Sequence, residues 1–171
     1  MLTVQESAGF QGGEKRSIGI SETQARLIQE KIQSVFGSDL WAIVVYGSRA
    51  NSSWVHSSDL DLLVIAENIP DCRSRDDLLL PTCRDLEKLL DLEINFILLK
   101  PSELCRPVSL TYEVATNHYI IYEKQNCITQ ISGTVNQLIR DNLIVYKVCQ
   151  GIPYWVNNDE KEISKRLLSK G

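Results

Sequence analysis

Two short motifs in the first half of the chain combine residue types that can bind phosphate and metal ions. Gly47 and Ser48 follow one apolar run, and Asp59 and Asp61 flank the start of a second. Glycine lets a phosphate approach the backbone closely, while the serine hydroxyl and the N–H groups of a helix starting there can hold anionic oxygens. Aspartates two residues apart on a strand point to one face, and such oxygen ligands select Mg²⁺ or Mn²⁺. The two motifs together therefore suggest chemistry on a nucleoside triphosphate.

Other polar residues around these motifs are candidates for contacts with the nucleotide. Arg49 could add positive charge near the phosphates, and Ser58 directly precedes the first aspartate. Between them, Trp54 could stack on a base and His56 could approach a phosphate, although a structural role is the commoner outcome for both. The predicted nucleotide-binding residues are Gly47, Ser48, Arg49 and Ser58.

A third carboxylate would complete a site for two metal ions. Glu93 is the favoured candidate, because it lies in an apolar run over residues 92–99 that reads as a strand. Asp91 is less suitable, since it lies at the junction between a helix and this strand. Glu93 shares a face with Asn95. If the third position belongs to Asn95 instead, the metal site lacks one carboxylate.

Four predicted strands and the helices between them must position these residues. Ser21 and Gln24 form a capping-box pattern that begins a first helix, and Gly37 ends it. The strands are expected at 40–46, 60–65, 92–99 and 119–122. Further helices are expected at 78–90, with Pro81 in its first turn or at a break, and from Pro107 to about Thr116.

The last third of the chain reads as helical. A long amphipathic helix is expected from about Ile128 to Cys149, with Val145 and Val148 in its apolar stripe, and a final helix follows from about residue 160. These patterns divide the chain into a loosely ordered segment (1–20), a catalytic domain (21–124) and a helical C-terminal extension (125–171). The predicted class is α/β (α+β), with a small mixed sheet flanked by helices.

The composition of the chain argues against nucleic-acid-binding, membrane-spanning and secreted proteins. The chain has 171 residues and a formal net charge of −4, which makes a basic nucleic-acid-binding surface unlikely on composition grounds. The longest apolar runs are too short for a membrane span, and the N-terminus lacks the apolar core of a secretory signal. Five dispersed cysteines without a CxxC pair are typical of free thiols in a reducing compartment. We therefore expect a cytoplasmic protein.

The segment GSRANSSWVHSSDLDLLV resembles the signature of the DNA polymerase β-like nucleotidyltransferase superfamily, in particular its small, minimal members. The resemblance covers roughly residues 21–124 and implies the nucleotidyltransferase fold. It implies that Gly47 and Ser48 hold the triphosphate, and that Asp59, Asp61 and Glu93 bind Mg²⁺ or Mn²⁺. The reaction so implied transfers a nucleoside monophosphate, AMP from ATP, to a hydroxyl acceptor.

This chain departs from the pattern at two points. Asn51 and Ser52 stand where small members commonly have a basic residue and a glycine, and the third acid is Glu93 rather than the commoner aspartate. The first change makes the turn less open, and the second lengthens the reach of the carboxylate.

The sequence does not decide which kind of molecule accepts the nucleoside monophosphate. Small members of the superfamily include antitoxins that transfer AMP to a tyrosine of a HEPN-type toxin, so a toxin partner is the first hypothesis. The alternatives are a binding module that has lost catalysis and acts by protein contact, and a small-molecule transferase of the aminoglycoside type. A homo-oligomer is also compatible with the sequence.

Overall fold

The computed structural model describes residues 18–51, 53–71 and 74–169. Most of the segment predicted to be loosely ordered, residues 1–17, lies outside the described residues. The helices are α1 (Glu22–Phe36), α2 (Arg75–Leu90), α3 (Pro101–Leu104), α4 (Ser109–Thr116), α5 (Cys127–Arg140) and α6 (Glu160–Leu168). The strands are β1 (Leu40–Tyr46), β2 (Leu60–Ala66), β3 (Ile94–Leu99), β4 (His118–Glu123), β5 (Ile144–Cys149) and β6 (Ile152–Asn157).

Strands β1 to β4 form one mixed sheet in the order β3-β2-β1-β4. Strand β1 runs antiparallel to β2 and β4, whereas β2 and β3 are parallel and are joined through α2. A parallel pair needs such a crossover helix, and the helical pattern between the second and third apolar runs supplies it. The predicted mixed sheet flanked by helices is confirmed.

The two central strands are buried on both faces, which explains their almost uninterrupted apolar sequences. Ile43 and Val45 of β1 face a core built with α1 and α2. Ala42 and Val44 face a second core that contains residues of α4, α5 and α6. Helices therefore cover both faces of the sheet, and the site residues must lie at its ends.

The predicted start and end of α1 are confirmed. Gln24 N–H donates to the hydroxyl of Ser21 at 3.2 Å, and Ser21 N–H donates to Oε1 of Gln24 at 2.8 Å. Gly37 adopts a φ of 54° at the C-terminal cap, a conformation that favours glycine. Local signals alone define this helix.

Helix α2 is longer than the sequence pattern predicts. It begins at Arg75 and continues through Pro81, so the proline neither starts nor breaks it. A proline inside a helix costs about 3 kcal/mol. Complete or nearly complete burial of Leu79, Cys83 and Leu86 against the sheet offsets that cost.

The predicted long helix ending at Cys149 is wrong. Helix α5 ends at Arg140, and β5 and β6 form an antiparallel hairpin. Gln150 and Gly151 both have positive φ values, 51° and 81°, as a tight hairpin turn requires. Apolar residues in this stretch fit both a helical and an alternating period. The turn at Gln150 and Gly151 favours two strands over one helix.

The final helix is confirmed, with Asp159 as its N-cap: Oδ1 of Asp159 accepts a hydrogen bond from Glu162 N–H at 3.1 Å. Ile163 and Leu167 of this helix are fully buried in the same core as Val44. The division at residues 124 and 125 stays a prediction, but the extension packs on the sheet. In the described part of the chain, no helix is both long and apolar enough to cross a membrane.

Candidate functional site

Four side chains from four strands line up at one end of the sheet. Tyr46, the last residue of β1, pairs with Asp61 of β2 on one side and with His118 of β4 on the other. Asp61 in turn pairs with Asn95 of β3. Because β1 ends where the other three strands begin, the turn at Gly47 lies beside this row. The two predicted motifs therefore meet in space.

Gly47 lies directly against the carboxylate of Asp61. Its φ is 70°, and a Cβ built on it would overlap Oδ2 of Asp61 and lie 3.3 Å from Cγ. A side chain at position 47 is therefore excluded by the backbone conformation and by the neighbouring carboxylate. The amide of Asn117, which follows α4, donates to the Gly47 carbonyl at 3.2 Å and holds this turn in place.

The turn after β1 is tighter than predicted. Residues Gly47–Ala50 form one 3₁₀ turn, and no α-helix begins there. The backbone carbonyl of Ser48 accepts from Asn51 N–H at 3.2 Å, which closes the turn, and Ser48 is half-buried. The part of the phosphate prediction that relied on the N-terminus of a helix is thus not supported, whereas the glycine lies against Asp61.

Asp59 and Asp61 share one neighbour, the side chain of Asn95. Its amide nitrogen lies 3.4 Å from Oδ2 of Asp59 and 3.3 Å from Oδ1 of Asp61. Burial raises the pKa of Asp61, the hydrogen bond from Asn95 lowers it, and the charge of Asp59 raises it. The net shift of the pKa is upward, mainly because burial disfavours the charged carboxylate, and the charge of Asp59 adds to it.

Glu93 is not assembled with the two aspartates. It is exposed and precedes β3, and its backbone carbonyl accepts from Leu60 N–H at 2.8 Å. Among the residues that the structure describes, no three His, Cys, Asp or Glu side chains are grouped closely enough to hold a metal ion. The position opposite Asp61 belongs to Asn95, the alternative that sequence reasoning left open.

Arg49 makes structural contacts within its own chain, while its contact with a nucleotide stays a prediction. The residue is only 3% exposed. Its Nη1, Nε and Nη2 donate to the carbonyls of Gly19 at 2.6 Å, Ser58 at 2.7 Å and His56 at 3.3 Å. The guanidinium also lies 5.6 Å from the ring centre of Trp54. We call this set of contacts the Arg49 anchor; it fixes the loop that leads to the aspartates.

Ser58 closes a turn of the same loop. Its hydroxyl accepts from Val55 N–H at 3.0 Å, and its own N–H donates to the Val55 carbonyl at 2.9 Å. This arrangement positions Asp59, the next residue. Contact with a nucleotide, which the sequence suggested for Ser58, stays a prediction.

Tyr46 is a site residue that sequence reasoning missed. Burial, together with the charges of Asp61 and Glu113, raises the pKa of its phenol to about 12. Glu113 is an exposed residue of α4. The signal in the sequence was the position of Tyr46, the last strand residue before the Gly47 turn.

The donor set suits one divalent cation. Two half-buried carboxylates, one on β2 and one directly before it, offer oxygen ligands at a close distance, and the absence of a Cβ at Gly47 lets the turn backbone lie against Asp61. Mg²⁺ needs only one or two protein carboxylates when water and phosphate supply the rest. The residues therefore fit such an ion at Asp59 and Asp61.

Comparison with known proteins places the sequence in a family. The model of the family described as Polymerase beta, Nucleotidyltransferase matches residues 30–126, more than half of the chain. A relative from Methanocaldococcus jannaschii, named "Putative protein adenylyltransferase MJ1305", is 34% identical over 100 residues, which cover 57% of this chain and 68% of that protein.

Solved structures are similar at low identity. A toxin–antitoxin crystal structure with AMP-PNP has a TM-score of 0.48 and 17% identity, and the match covers 72% of this chain and 90% of that one. A structure of the tri-AMPylated Shewanella oneidensis HEPN toxin with MNT antitoxin has a TM-score of 0.41 and 17% identity, with 69% and 88% covered. The assignment rests on the sequence matches: the chain belongs to the polymerase β nucleotidyltransferase family and is a transferase of that class.

Proposed function

We propose that this protein transfers AMP from ATP to a hydroxyl group of a partner protein. The hydroxyl oxygen bonds to the α-phosphorus and its proton passes to solvent, while the bond from that phosphorus to the bridging oxygen breaks and pyrophosphate leaves. The observation that carries the proposal is the contact between the Gly47 turn and the Asp61 carboxylate, with Asp59 beside it. This contact joins a phosphate-binding turn to a cation-binding pair in a chain of the nucleotidyltransferase family.

Each residue of the site has a defined task in this proposal. Gly47 admits the triphosphate close to the backbone, and Ser48 donates its hydroxyl to a phosphate oxygen. Asp59 and Asp61 hold the cation, while the Arg49 anchor keeps the loop before them fixed. A bound Mg²⁺ or Mn²⁺ would neutralise phosphate charge and favour ionisation of the acceptor hydroxyl. Glu93 as a further ligand stays a prediction.

The acceptor class follows from the relative and from the resemblance. The Methanocaldococcus jannaschii protein bears the name of a protein adenylyltransferase, which supports AMP as the group and a protein as the acceptor. Within that class we propose a tyrosine of a HEPN-type toxin, so that transfer of AMP gives this chain an antitoxin role.

Transfer of radiolabel from [α-³²P]ATP tests the proposal directly. The full chain and a HEPN-type toxin are incubated with Mg²⁺, and the toxin is analysed by gel and by intact mass for added AMP. We expect labelling by the wild type, and a loss of at least about 100-fold with Asp59→Asn or Asp61→Asn, since each removes a cation ligand. Asp85→Asn, an exposed carboxylate on α2, is the matched control and should keep full activity.

Two results would contradict the proposal. Full labelling by Asp61→Asn would remove the aspartate pair from the chemistry. Absence of labelling by the wild type, together with tight binding of the toxin in calorimetry, would favour a module that acts by contact alone.

A further inference from the structure

Asn95 stands where a third carboxylate would complete the cation site. It is paired with Asp61 across the parallel strands β2 and β3, and it is exposed at the same end of the sheet. Its amide nitrogen is within 3.4 Å of a carboxylate oxygen of each aspartate. Asparagine and aspartate have the same shape, so the neutral amide marks the place of a possible third acid.

The hydrogen-bond distances at this position are a few tenths of an ångström longer than the spacing of ligands around one ion. Mg²⁺ binds oxygen at 2.0–2.1 Å in octahedral geometry, which places neighbouring ligand oxygens about 2.9 Å apart. The amide nitrogen of Asn95 lies 3.3 Å and 3.4 Å from the two carboxylate oxygens, so a small movement would bring an oxygen at this position into one coordination sphere. Glu93 lies before the strand, with its backbone carbonyl bonded to Leu60 N–H.

We infer that Asn95, and not Glu93, occupies the third ligand position, and that it limits the cation site to two carboxylates. The amide is a positioning residue: it donates to both aspartates and holds their carboxylates together in the absence of a cation. The inference rests on the proposed function only for the location of the site. With two carboxylates instead of three, the site binds a divalent cation less tightly, because fewer charged ligands hold a hard cation.

Binding of Mn²⁺ alone to the full chain tests the inference without any turnover. Affinity is measured by electron paramagnetic resonance and calorimetry for the wild type, Asn95→Asp and Glu93→Gln. We expect Asn95→Asp to bind Mn²⁺ at least about tenfold more tightly than the wild type, and Glu93→Gln to equal it within about twofold. Melting temperature gives a second readout: Mn²⁺ should raise it more in Asn95→Asp than in the wild type.

The outcomes separate this inference from the proposed function. No gain of affinity in a folded Asn95→Asp would overturn the inference, as would a tenfold loss in Glu93→Gln, which would make Glu93 the third ligand. If Asn95→Asp does not fold, the result with Glu93→Gln decides alone. Transfer of AMP by the wild type is measured separately, so an active wild type with no gain in Asn95→Asp refutes only the inference, and an inactive wild type with the gain refutes only the proposed function.

Discussion

The Arg49 anchor and the aspartate pair lie at the same end of the sheet, but they differ in how their charges are compensated. The buried guanidinium of Arg49 is surrounded by three backbone carbonyls of its own chain. Asp59 and Asp61 place two like charges together with one neutral amide between them. The first region is complete by itself and stabilises the fold. In the proposed function, the second region is completed only by an external cation.

Removal of the Arg49 side chain is the strongest test of this contrast. Arg49→Met should lower the free energy of unfolding by at least about 3 kcal/mol, because it leaves buried carbonyls without donors. Urea unfolding measures the change. Arg26→Met, at an exposed position of α1, should change stability by less than about 0.5 kcal/mol. An equally small effect at Arg49 would show that the loop holds its shape by other contacts.

Gly47 can be compared with a second glycine that lacks its constraints. Gly47→Ala should cost about 1–2 kcal/mol and abolish binding of ATP, since the backbone is left-handed and the new methyl group would overlap Asp61. Gly133 lies inside α5 with nothing within 4 Å of a built Cβ, so Gly133→Ala should stabilise the protein by about 0.5–1 kcal/mol. Thermal unfolding and calorimetry with ATP distinguish the two. Equal effects of both changes would contradict the close approach at Gly47.

The pH dependence of stability gives the smallest effect, and it measures how strongly the folded protein disfavours the charged form of Asp61. The pKa of Asp61 is raised in the folded protein, mainly by burial. A raised pKa means that the protonated form is favoured by folding, so this contribution is present below the ordinary value and is lost as pH rises through the folded pKa. Asp61→Asn should therefore be as stable as the wild type at low pH and more stable above that range.

Urea unfolding of both proteins between pH 3 and about pH 7 checks this prediction. If the difference in unfolding free energy between the two proteins does not change with pH, the pKa of Asp61 is not raised in the folded protein. A wild type that becomes relatively more stable as pH rises would reverse the sign and indicate a stabilising partner for the carboxylate.

Local signals were enough for the parts of the fold nearest the site. The capping box at Ser21, the apolar run of β1 and the Gly47 turn each depend on residues close in sequence. Their bounds were therefore predictable, and so was the meeting of the Gly-Ser and Asp-x-Asp motifs. The C-terminal hairpin was not, because Val145 and Val148 fit a helical stripe as well as a strand, and only the turn at Gly151 decides between them.

The remaining differences at the site depend on tertiary structure. Whether Glu93 or Asn95 lies opposite Asp61 is a matter of strand register, which the alternating pattern of β3 does not specify. The structural contacts of Arg49 were not predicted for a related reason: a cation beside a phosphate-binding turn is expected to face the ligand. The hydrogen bond from Arg49 to the carbonyl of Gly19 joins residues thirty positions apart, so it becomes visible only in the folded structure.

The shared core beneath α5 and α6 has a consequence for how the protein can be divided. The family match ends at residue 126, yet Val135, Leu138 and Ile163 beyond it are fully buried in the same cluster as Val44 and Leu63 of the sheet. A fragment cut at the end of the homology would expose to water the part of this core that α5 and α6 cover. The family match is therefore shorter than the hydrophobic core that α5 and α6 share with the sheet.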